Sequence, residues 1–569
     1  MLKNNYIWSI YIIFQFLAVA SQAGTGEGPD EKITPVQTDR YWVFLEREHK
    51  SAVELDRDLD EAAKSLSARS LTRRHKVIAR EPSVRQCDLP ISRSQIEAIE
   101  ATGCRVVRQL RYINAVTVTG LPYALNAVRR LGFVSEVRPV MAYHSLNNVH
   151  SSARKQHDQI ITDNDELFGR ALDQSLMVNV PAAHDAGYRG QGVLIGVQDT
   201  GFDNLDHRGF RYMEIVDAYD FLNGDDNVAD EGDHGSGRHG TRTLSVIAAL
   251  DSGSFIGVAP QAQFVLTKTE NSESETPVEE DIWIEGLWFH DSLGVDVLSS
   301  SLSYRAWYDW EDMDGRTAVT TRAADSAAAA GIVIVNSMGN TGLSDYPDSK
   351  MGAPADARMV ISVGGVRSNG EYWAVSSQGP TYDRRIKPDV VARGASVYTA
   401  SNLNDTAYFS HSGTSFSCPI IAGIAALIVQ AHPYLSPAEV IDILHQTASM
   451  ADEPDTLRGY GIPDALAAVE EAASRQVADN VNIPQIFNFN VYPNPFNGRL
   501  NLQFMGDRMP RTVQVFDISG RRLNIPEILD KNIYNGLITV DFDGRASGVY
   551  VVKVYNGDFM FTKRVVYIR

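Results

Sequence analysis

Phe409-Ser410-His411-Ser412-Gly413-Thr414-Ser415-Phe416-Ser417-Cys418-Pro419, running into the apolar stretch 420–429, decides how the rest of this chain is read. Ile420, Ile421, Ile424, Ala425, Leu427 and Ile428 give the wide apolar surface of a buried helix. Small residues crowd the turn before it, so Ser415 is expected on a strand-to-helix turn beside the free N–H groups of a helix start. An oxyanion forming at an attacked carbonyl would meet donors already in place, which suits a nucleophile. The same pattern also fits an ordinary helix-capping serine, and the choice rests on residues upstream.

Two upstream stretches supply the missing chemistry. Gly192-Val193-Leu194-Ile195-Gly196-Val197-Gln198-Asp199-Thr200-Gly201 reads as a buried parallel strand that delivers Asp199 at its carboxyl end, the edge where open α/β sheets gather their ligands. His239-Gly240-Thr241-Arg242-Thr243-Leu244-Ser245-Val246-Ile247-Ala248 puts a histidine at the start of a helix with an apolar face. Acid, imidazole and hydroxyl thus follow one another as Asp199, His239 and Ser415. The fold class expected is α/β: a doubly wound parallel sheet, preceded by a small α+β unit and followed by an antiparallel β-sandwich.

Asp199-Thr200-Gly201, His239-Gly240-Thr241 and Gly413-Thr414-Ser415 with Pro419 resemble the three signatures of the subtilisin-like serine proteases, the subtilases, in that family's chain order. The resemblance implies a serine endopeptidase working through an acyl-enzyme, with Ser415 as nucleophile, His239 as general base and Asp199 orienting the imidazole. It implies Asn340, at the end of the strand Gly331-Ile332-Val333-Ile334-Val335-Asn336-Ser337-Met338-Gly339-Asn340, as side-chain oxyanion donor beside the Ser415 N–H. Asn336 is the rival, set inside the strand and without a preceding glycine. Ser301, Leu302 and Ser303 resemble the strand that pairs with substrate backbone, and Ser337, Met338 and Gly339 the facing wall of the primary pocket. Ser303 stands where the family has glycine, and Arg242, Phe416 and Ile420 depart from its usual residues; these flank the triad, so they bear on specificity. The expected side-chain preference is apolar or small. His184, His207, His234 and His411 compete for the role of base but lack the His-Gly-Thr context and read as surface or capping histidines. Cys418 reads as a small buried residue rather than a thiol nucleophile.

The chain has 569 residues, 44% of them hydrophobic, enough for several domains with a large core. A net charge of -19 argues against nucleic acid as a partner, because phosphate binding needs a basic surface. Residues 1–23 carry Lys3, an apolar run and small residues at Ser21 and Ala23, the pattern of a signal peptide. Residues 24–144 alternate strand and helix patterns and resemble an inhibitory subtilase propeptide. Between Arg69 and Arg111 this part holds ten Arg or Lys against four Asp or Glu, either a solvated basic face or a surface complementary to an acidic enzyme. Residues 145–175 read as a linker with the maturation site, most simply just after Tyr143-His144. The peptidase domain is expected over 176–475 and a linker with a sandwich over 476–569.

In that last module Val491-Tyr492-Pro493-Asn494-Pro495-Phe496-Asn497, Asp517-Ile518-Ser519-Gly520-Arg521 and the basic end Lys563-Arg564 resemble the C-terminal sorting domain of type IX secretion cargo. This implies export and a secreted or surface-attached product; a carbohydrate-binding or spacer sandwich is the plainer alternative. The partners implied are protein or peptide substrates, the chain's own propeptide and the secretion machinery. No cofactor is required. Family members often hold structural calcium, but the acidic loop 223–233 lacks the spacing of a calcium loop, reads as solvated, and yields no metal ligands. Residues 270–281 are likewise expected as an acidic surface insertion. Of three cysteines, Cys87 and Cys104 are available to pair within the propeptide, leaving Cys418 free. No segment after the signal is expected to be apolar enough for a membrane span. Two other classes stay open: an inactive peptide-binding relative and a secreted esterase, the latter disfavoured by the peptide-pairing strand at Ser301.

Overall fold

The structure is a computed structural model that describes residues 36–78, 82–142, 165–232, 234–272, 276, 278–344, 351–475, 488–492, 497–505, 512–517, 521–523, 528–532, 537–542, 545–556 and 559–569. The signal segment and Tyr143-His144 lie outside the described residues. The propeptide region has strands β1 (Val36–Leu45), β2 (Arg105–Leu110), β3 (Ala115–Thr119) and β4 (Val134–Ala142), forming one antiparallel sheet in the order β2-β3-β1-β4. Side chains alternate across a strand, and β1 uses both faces. Val43 and Leu45 pack with Ile99, Val116 and Leu125 in the propeptide's own core, whereas Trp42 and Phe44 join a cluster of the following domain. The sheet is thereby held between its helices and the peptidase domain.

Helix α1 (Ala52–Ala63) is followed by a separate helix α2 (Ala68–His75), because Ser67 accepts a hydrogen bond from the Ser70 N–H and caps a fresh start. Helices α3 (Arg93–Glu100) and α4 (Pro122–Val128) follow. Cys87 and Cys104 are not paired: both are free, Cys104 buried in the core with Val116 and Val118, Cys87 on the separate one-turn helix Gln86–Asp88.

The central domain is a seven-stranded sheet of β5 (Leu194–Asp199), β6 (Glu214–Asp220), β7 (Gln263–Lys268), β8 (Val297–Ser300), β9 (Val333–Ser337), β10 (Val360–Val366) and β11 (Val390–Arg393), in the order β11-β10-β9-β8-β5-β7-β6. All neighbours run parallel. The chain goes from β5 outward to β6 on one side and resumes at β8 on the other, so the strand order reverses between β5 and β8. A crevice opens at such a switch point, at the carboxyl ends of the strands. One face is covered by α5 (Arg238–Ala248) and α8 (Thr414–Ala431), the other by α6 (Val278–Leu293) and α7 (Val319–Ala328), with the propeptide outside α6 and α7.

Helix α8 is apolar all round, as a core helix is. It is also the one helix among the described residues long and apolar enough to cross a membrane, with a mean hydropathy of 1.7, which corrects the sequence expectation. Buried over 89% of its length, it serves as the domain's core. Residues 165–175, placed with the linker by sequence, include the helices Asp165–Phe168 and Leu172–Met177, and Phe168 and Leu172 are buried in the domain core.

Four acids expected on a surface insertion, Glu270, Glu279, Glu280 and Asp281, are buried instead, at 6%, 2%, 0% and 0% exposed. Glu270 pairs with the Tyr304 hydroxyl, Glu280 takes hydrogen bonds from Trp307, Tyr308 and Thr320, and Asp281 takes them from Trp42 and Thr117 of the propeptide. Histidines 184 and 207, expected at the surface or in caps, are both buried, and His207 also caps a turn through the Gly209 N–H.

The C-terminal module is two antiparallel sheets. One has Asn488–Tyr492, Arg499–Met505, Leu537–Asp541 and Ile528–Asn532 in that order; the other has Thr512–Asp517, Gly548–Asn556 and Phe559–Tyr567. Leu500, Leu502, Ile538, Val552 and Val565, alternate residues of their strands, fill the core between them.

Candidate active site

Asp199 ends β5 and is completely buried, while His239 lies in the first turn of α5 with its side chain 32% exposed. The imidazole Nδ1 and Asp199 Oδ1 are 2.6 Å apart. What lets the helix end come so close is Gly240, where a Cβ would stand 2.1 Å from the Gly201 carbonyl oxygen. The carboxylate is held from two further sides: the Thr200 N–H donates to Oδ1 at 2.8 Å and the Thr243 hydroxyl to Oδ2 at 3.0 Å. Thr243 was not foreseen, yet it follows His239 by four residues and so shares its face of the helix. Burial disfavours the imidazolium, but the charge and hydrogen bond of Asp199 outweigh it and raise the His239 pKa above its ordinary value.

Ser415 occupies the second position of α8, 7% exposed. Pro419 has no N–H to give to the Ser415 carbonyl one turn back. That carbonyl instead accepts the Ser301 hydroxyl at 2.9 Å, which ties the serine's turn to the end of β8. The Ser415 hydroxyl donates to Ser301 O at 3.4 Å, and among the described residues no hydrogen bond joins Ser415 to His239. The next residue, Phe416, brings its ring to 5.9 Å from the imidazole.

Asn340 is exposed, and its Oδ1 accepts the Thr414 N–H at 2.9 Å, which leaves the amide Nδ2 as a donor beside Gly413. The rival Asn336 is buried and spends its Nδ2 on the carbonyls of Leu302 and Ser337, both at 2.9 Å. Gly339 has a φ of 97°, and a Cβ there would meet the Ser303 hydroxyl at 3.1 Å. Ser303 therefore does face the 337–339 segment. Ser301, Leu302 and Ser337 are buried, and Met338 is fully buried in the apolar cluster with Leu302, Tyr304 and Met351. Cys418 points away, into the sheet, its thiol near the carbonyls of Ser300 and Val335, and burial pushes its pKa up to about 12.

The model of the subtilase family matches residues 190–462. Serine protease AprX of Bacillus subtilis is 31% identical over 361 residues, 58% of this chain and 77% of that protein. Subtilisin DY of Bacillus licheniformis is 34% identical over 264 residues, 46% of this chain and 86% of that protein. The chain belongs to the subtilase family. This subtilase is a serine-type endopeptidase, and it carries two further units. The model of the peptidase S8 propeptide domain of Bacteroidota matches residues 40–159, and that of the secretion system C-terminal sorting domain matches residues 490–568. The sorting domain marks the protein for type IX secretion, and its place is outside the cell or on the cell surface. Subtilases are generally independent of cofactors, and some hold structural calcium. Among the described residues no three His, Cys, Asp or Glu side chains are grouped to hold a metal ion. In the loop 223–233, Asp225, Asp230 and Glu231 turn oxygens to backbone N–H groups and to Asn223 and Asn227.

Proposed function

We propose that this subtilase hydrolyses peptide bonds of extended protein substrates through Asp199, His239 and Ser415, and is made as a precursor that its propeptide keeps inactive. The 2.6 Å contact between Asp199 and His239, at the same sheet edge as the start of α8, is the observation that carries this reading. A serine hydroxyl is a weak nucleophile at neutral pH, so His239 takes its proton and later returns it to the leaving amine. Rotation of the Ser415 side chain to another staggered position, about 120° away, takes its hydroxyl off Ser301 O and toward the imidazole. Asn340 Nδ2 and the Ser415 N–H then receive the oxyanion, an arrangement whose single donors are worth roughly a hundredfold to a thousandfold in turnover. Ser301, Leu302 and Ser303 pair with the substrate backbone, and Ser337, Met338 and Gly339 border the primary pocket.

The units are 1–23 for export, 24–144 for inhibition, 145–175 for maturation cleavage, 176–475 for catalysis and 476–569 for sorting. The test compares wild type with Ser415→Ala by intact mass and by hydrolysis of unfolded casein. Wild type is expected to cut itself within 143–175 and digest casein, and Ser415→Ala to do neither. Casein left intact by folded wild type, even after its propeptide is stripped by an added protease, leaves a peptide-binding relative in place of an enzyme.

A further inference from the structure

The propeptide carries a segment outside its sheet, residues 51–90 between β1 and α3, and this segment reaches the peptidase domain on its own. Helix α2 inserts Arg73 and Arg74, which are 1% and 0% exposed. Arg73 pairs with Asp291 of α6 and donates Nη1 to Val295 O at 2.6 Å. Arg74 is shared between Asp291 and the propeptide's own Asp88, the latter at 2.7 Å, and the Tyr112 hydroxyl also donates to Asp291. At the rim Arg69 pairs with Asp296 and donates to Gly192 O at 2.8 Å. The enzyme's turns leave room for the backbone of this helix: a Cβ at Gly294 would stand 2.6 Å from the Ser70 nitrogen.

Within the propeptide, Asp88 is the one carboxylate paired with a buried guanidinium of this helix: it meets Arg74 and is shared with the partly exposed Arg85 at 3.6 Å. Asp291 of the enzyme supplies the carboxylate for Arg73 and a second one for Arg74. Position matters equally. Gly192, Val295 and Asp296 precede β5 and β8, whereas Asp199 ends β5 and Ser301 follows β8. The six residues of β5 put roughly 20 Å between the two edges at about 3.3 Å per residue. Side chains at that distance cannot obstruct substrate, so the burial of these charges serves attachment.

We propose that this socket around Asp291 retains the propeptide after its peptide link to the enzyme has been cut, and so sets how long the enzyme stays silent. The proposal rests on the reading of the chain as a self-processing precursor. While the link is intact, the high local concentration of the propeptide keeps it in place. Once it is cut, only the interface holds it, and removing Asp291 leaves two buried guanidiniums against one carboxylate.

The test uses the full chain as wild type, Asp291→Asn, Arg69→Ala and, as control, Arg93→Ala, whose side chain is 91% exposed and pairs with Glu97 of its own helix. For each, intact mass gives the time of linker cleavage, size exclusion shows whether the propeptide co-elutes, and casein hydrolysis gives the onset of activity. Wild type and Arg93→Ala are expected to retain the propeptide and to become active late. Asp291→Asn shortens the silent interval by at least about a hundredfold, the usual weight of one partner in a buried pair. Arg69→Ala, at the half-open rim and least disturbing to folding, shortens it by a smaller factor and decides the matter if Asp291→Asn does not fold. Retention and timing equal to wild type in the folded variants, or the same shortening in Arg93→Ala, overturn the proposal. If wild type cuts neither itself nor casein, the protease reading has failed, and the socket is judged separately. The Ser415→Ala chain, nicked between 145 and 164 by an added protease, then keeps its propeptide if the socket holds and loses it when Asp291→Asn is added; equal retention in both overturns the proposal.

Discussion

At the scale of single residues, the Asp199–His239 pair has a consequence for pH. In the proposed role of general base His239 must be neutral, and Asp199 raises its pKa, so kcat/KM should fall on the acid side at a pH above the ordinary imidazole value of about 6.5. Thr243 acts through this pair as a positioning residue. Its hydroxyl donates to Asp199 Oδ2 at 3.0 Å from a site 1% exposed, and a hydrogen bond to a charged group is worth about 1.5–3 kcal/mol. Thr243→Val keeps the shape and removes the donor. It should lower kcat about tenfold or more, move the acid limb, and leave KM near its parent value; a variant with the parent's kcat and pH profile would exclude this role. The places of Asp199 at the end of β5, and of His239 and Ser415 in the first turns of α5 and α8, were legible because each lies in a short contiguous motif. Thr243 was legible only through helical spacing. The direction of the Ser415 hydroxyl was not, since it depends on a proline one turn later and a serine on another strand.

Among the elements, α6 shows where sequence reading failed and why. Acids at 279–281 pattern as solvated, and nothing local reveals that Trp307, Tyr308 and Thr320, together with Trp42 and Thr117 of the propeptide, close over them. The strand ending at Asp199 and the helices opening near His239 and Ser415 were readable, because apolar periodicity is local; burial by a distant element is not. Glu280 measures the cost. Burial pushes its pKa up to about 8, against hydrogen bonds from Trp307, Tyr308 and Thr320. A carboxyl whose folded pKa is raised is most stable in its protonated form, and the protein loses stability as pH climbs from the ordinary carboxyl range toward 8. Glu280→Gln removes that loss. In a Ser415→Ala background its melting temperature should match the parent at pH 5 and exceed it at pH 9, a difference of a few kcal/mol at most. Identical pH dependence in the two proteins would mean that Glu280 is already ionised in the folded state.

For the whole molecule, the basic stretch 69–111 resolves the two readings the sequence left open in favour of complementarity, since Arg69, Arg73, Arg74 and Arg108 all meet acids of the peptidase domain. Salt alone is then a poor release signal, because buried pairs are weakly screened and only the rim pairs of Arg69 and Arg108 answer to ionic strength. Proton concentration is a better one. Asp291 and Asp296, both buried, are nonetheless held below the ordinary carboxyl range, Asp291 by Arg73 and Arg74 and Asp296 by Arg69 and Lys76, so their contribution to docking is present above that range and constant from pH 5 upward. Asp281 and Glu285 differ. Burial raises both, Asp281 to about 6 despite its bonds from Thr117 and Trp42, and Glu285 despite Arg108. Trp42, Thr117 and Arg108, which meet Asp281 and Glu285, all belong to the propeptide, so its departure opens both carboxyls to water and moves them toward the ordinary range. The docked state therefore binds the more protons, and docking weakens as pH rises from about 4 to just above 6. For Asp281 the rise to about 6 corresponds to about 3 kcal/mol at the upper limit. A linker-nicked Ser415→Ala chain should hold its propeptide more firmly at pH 5 than at pH 8 on size exclusion, and Asp281→Asn should flatten most of that difference. Firmer retention at pH 8, or an unchanged slope with Asp281→Asn, would place the controlling charge elsewhere in the interface.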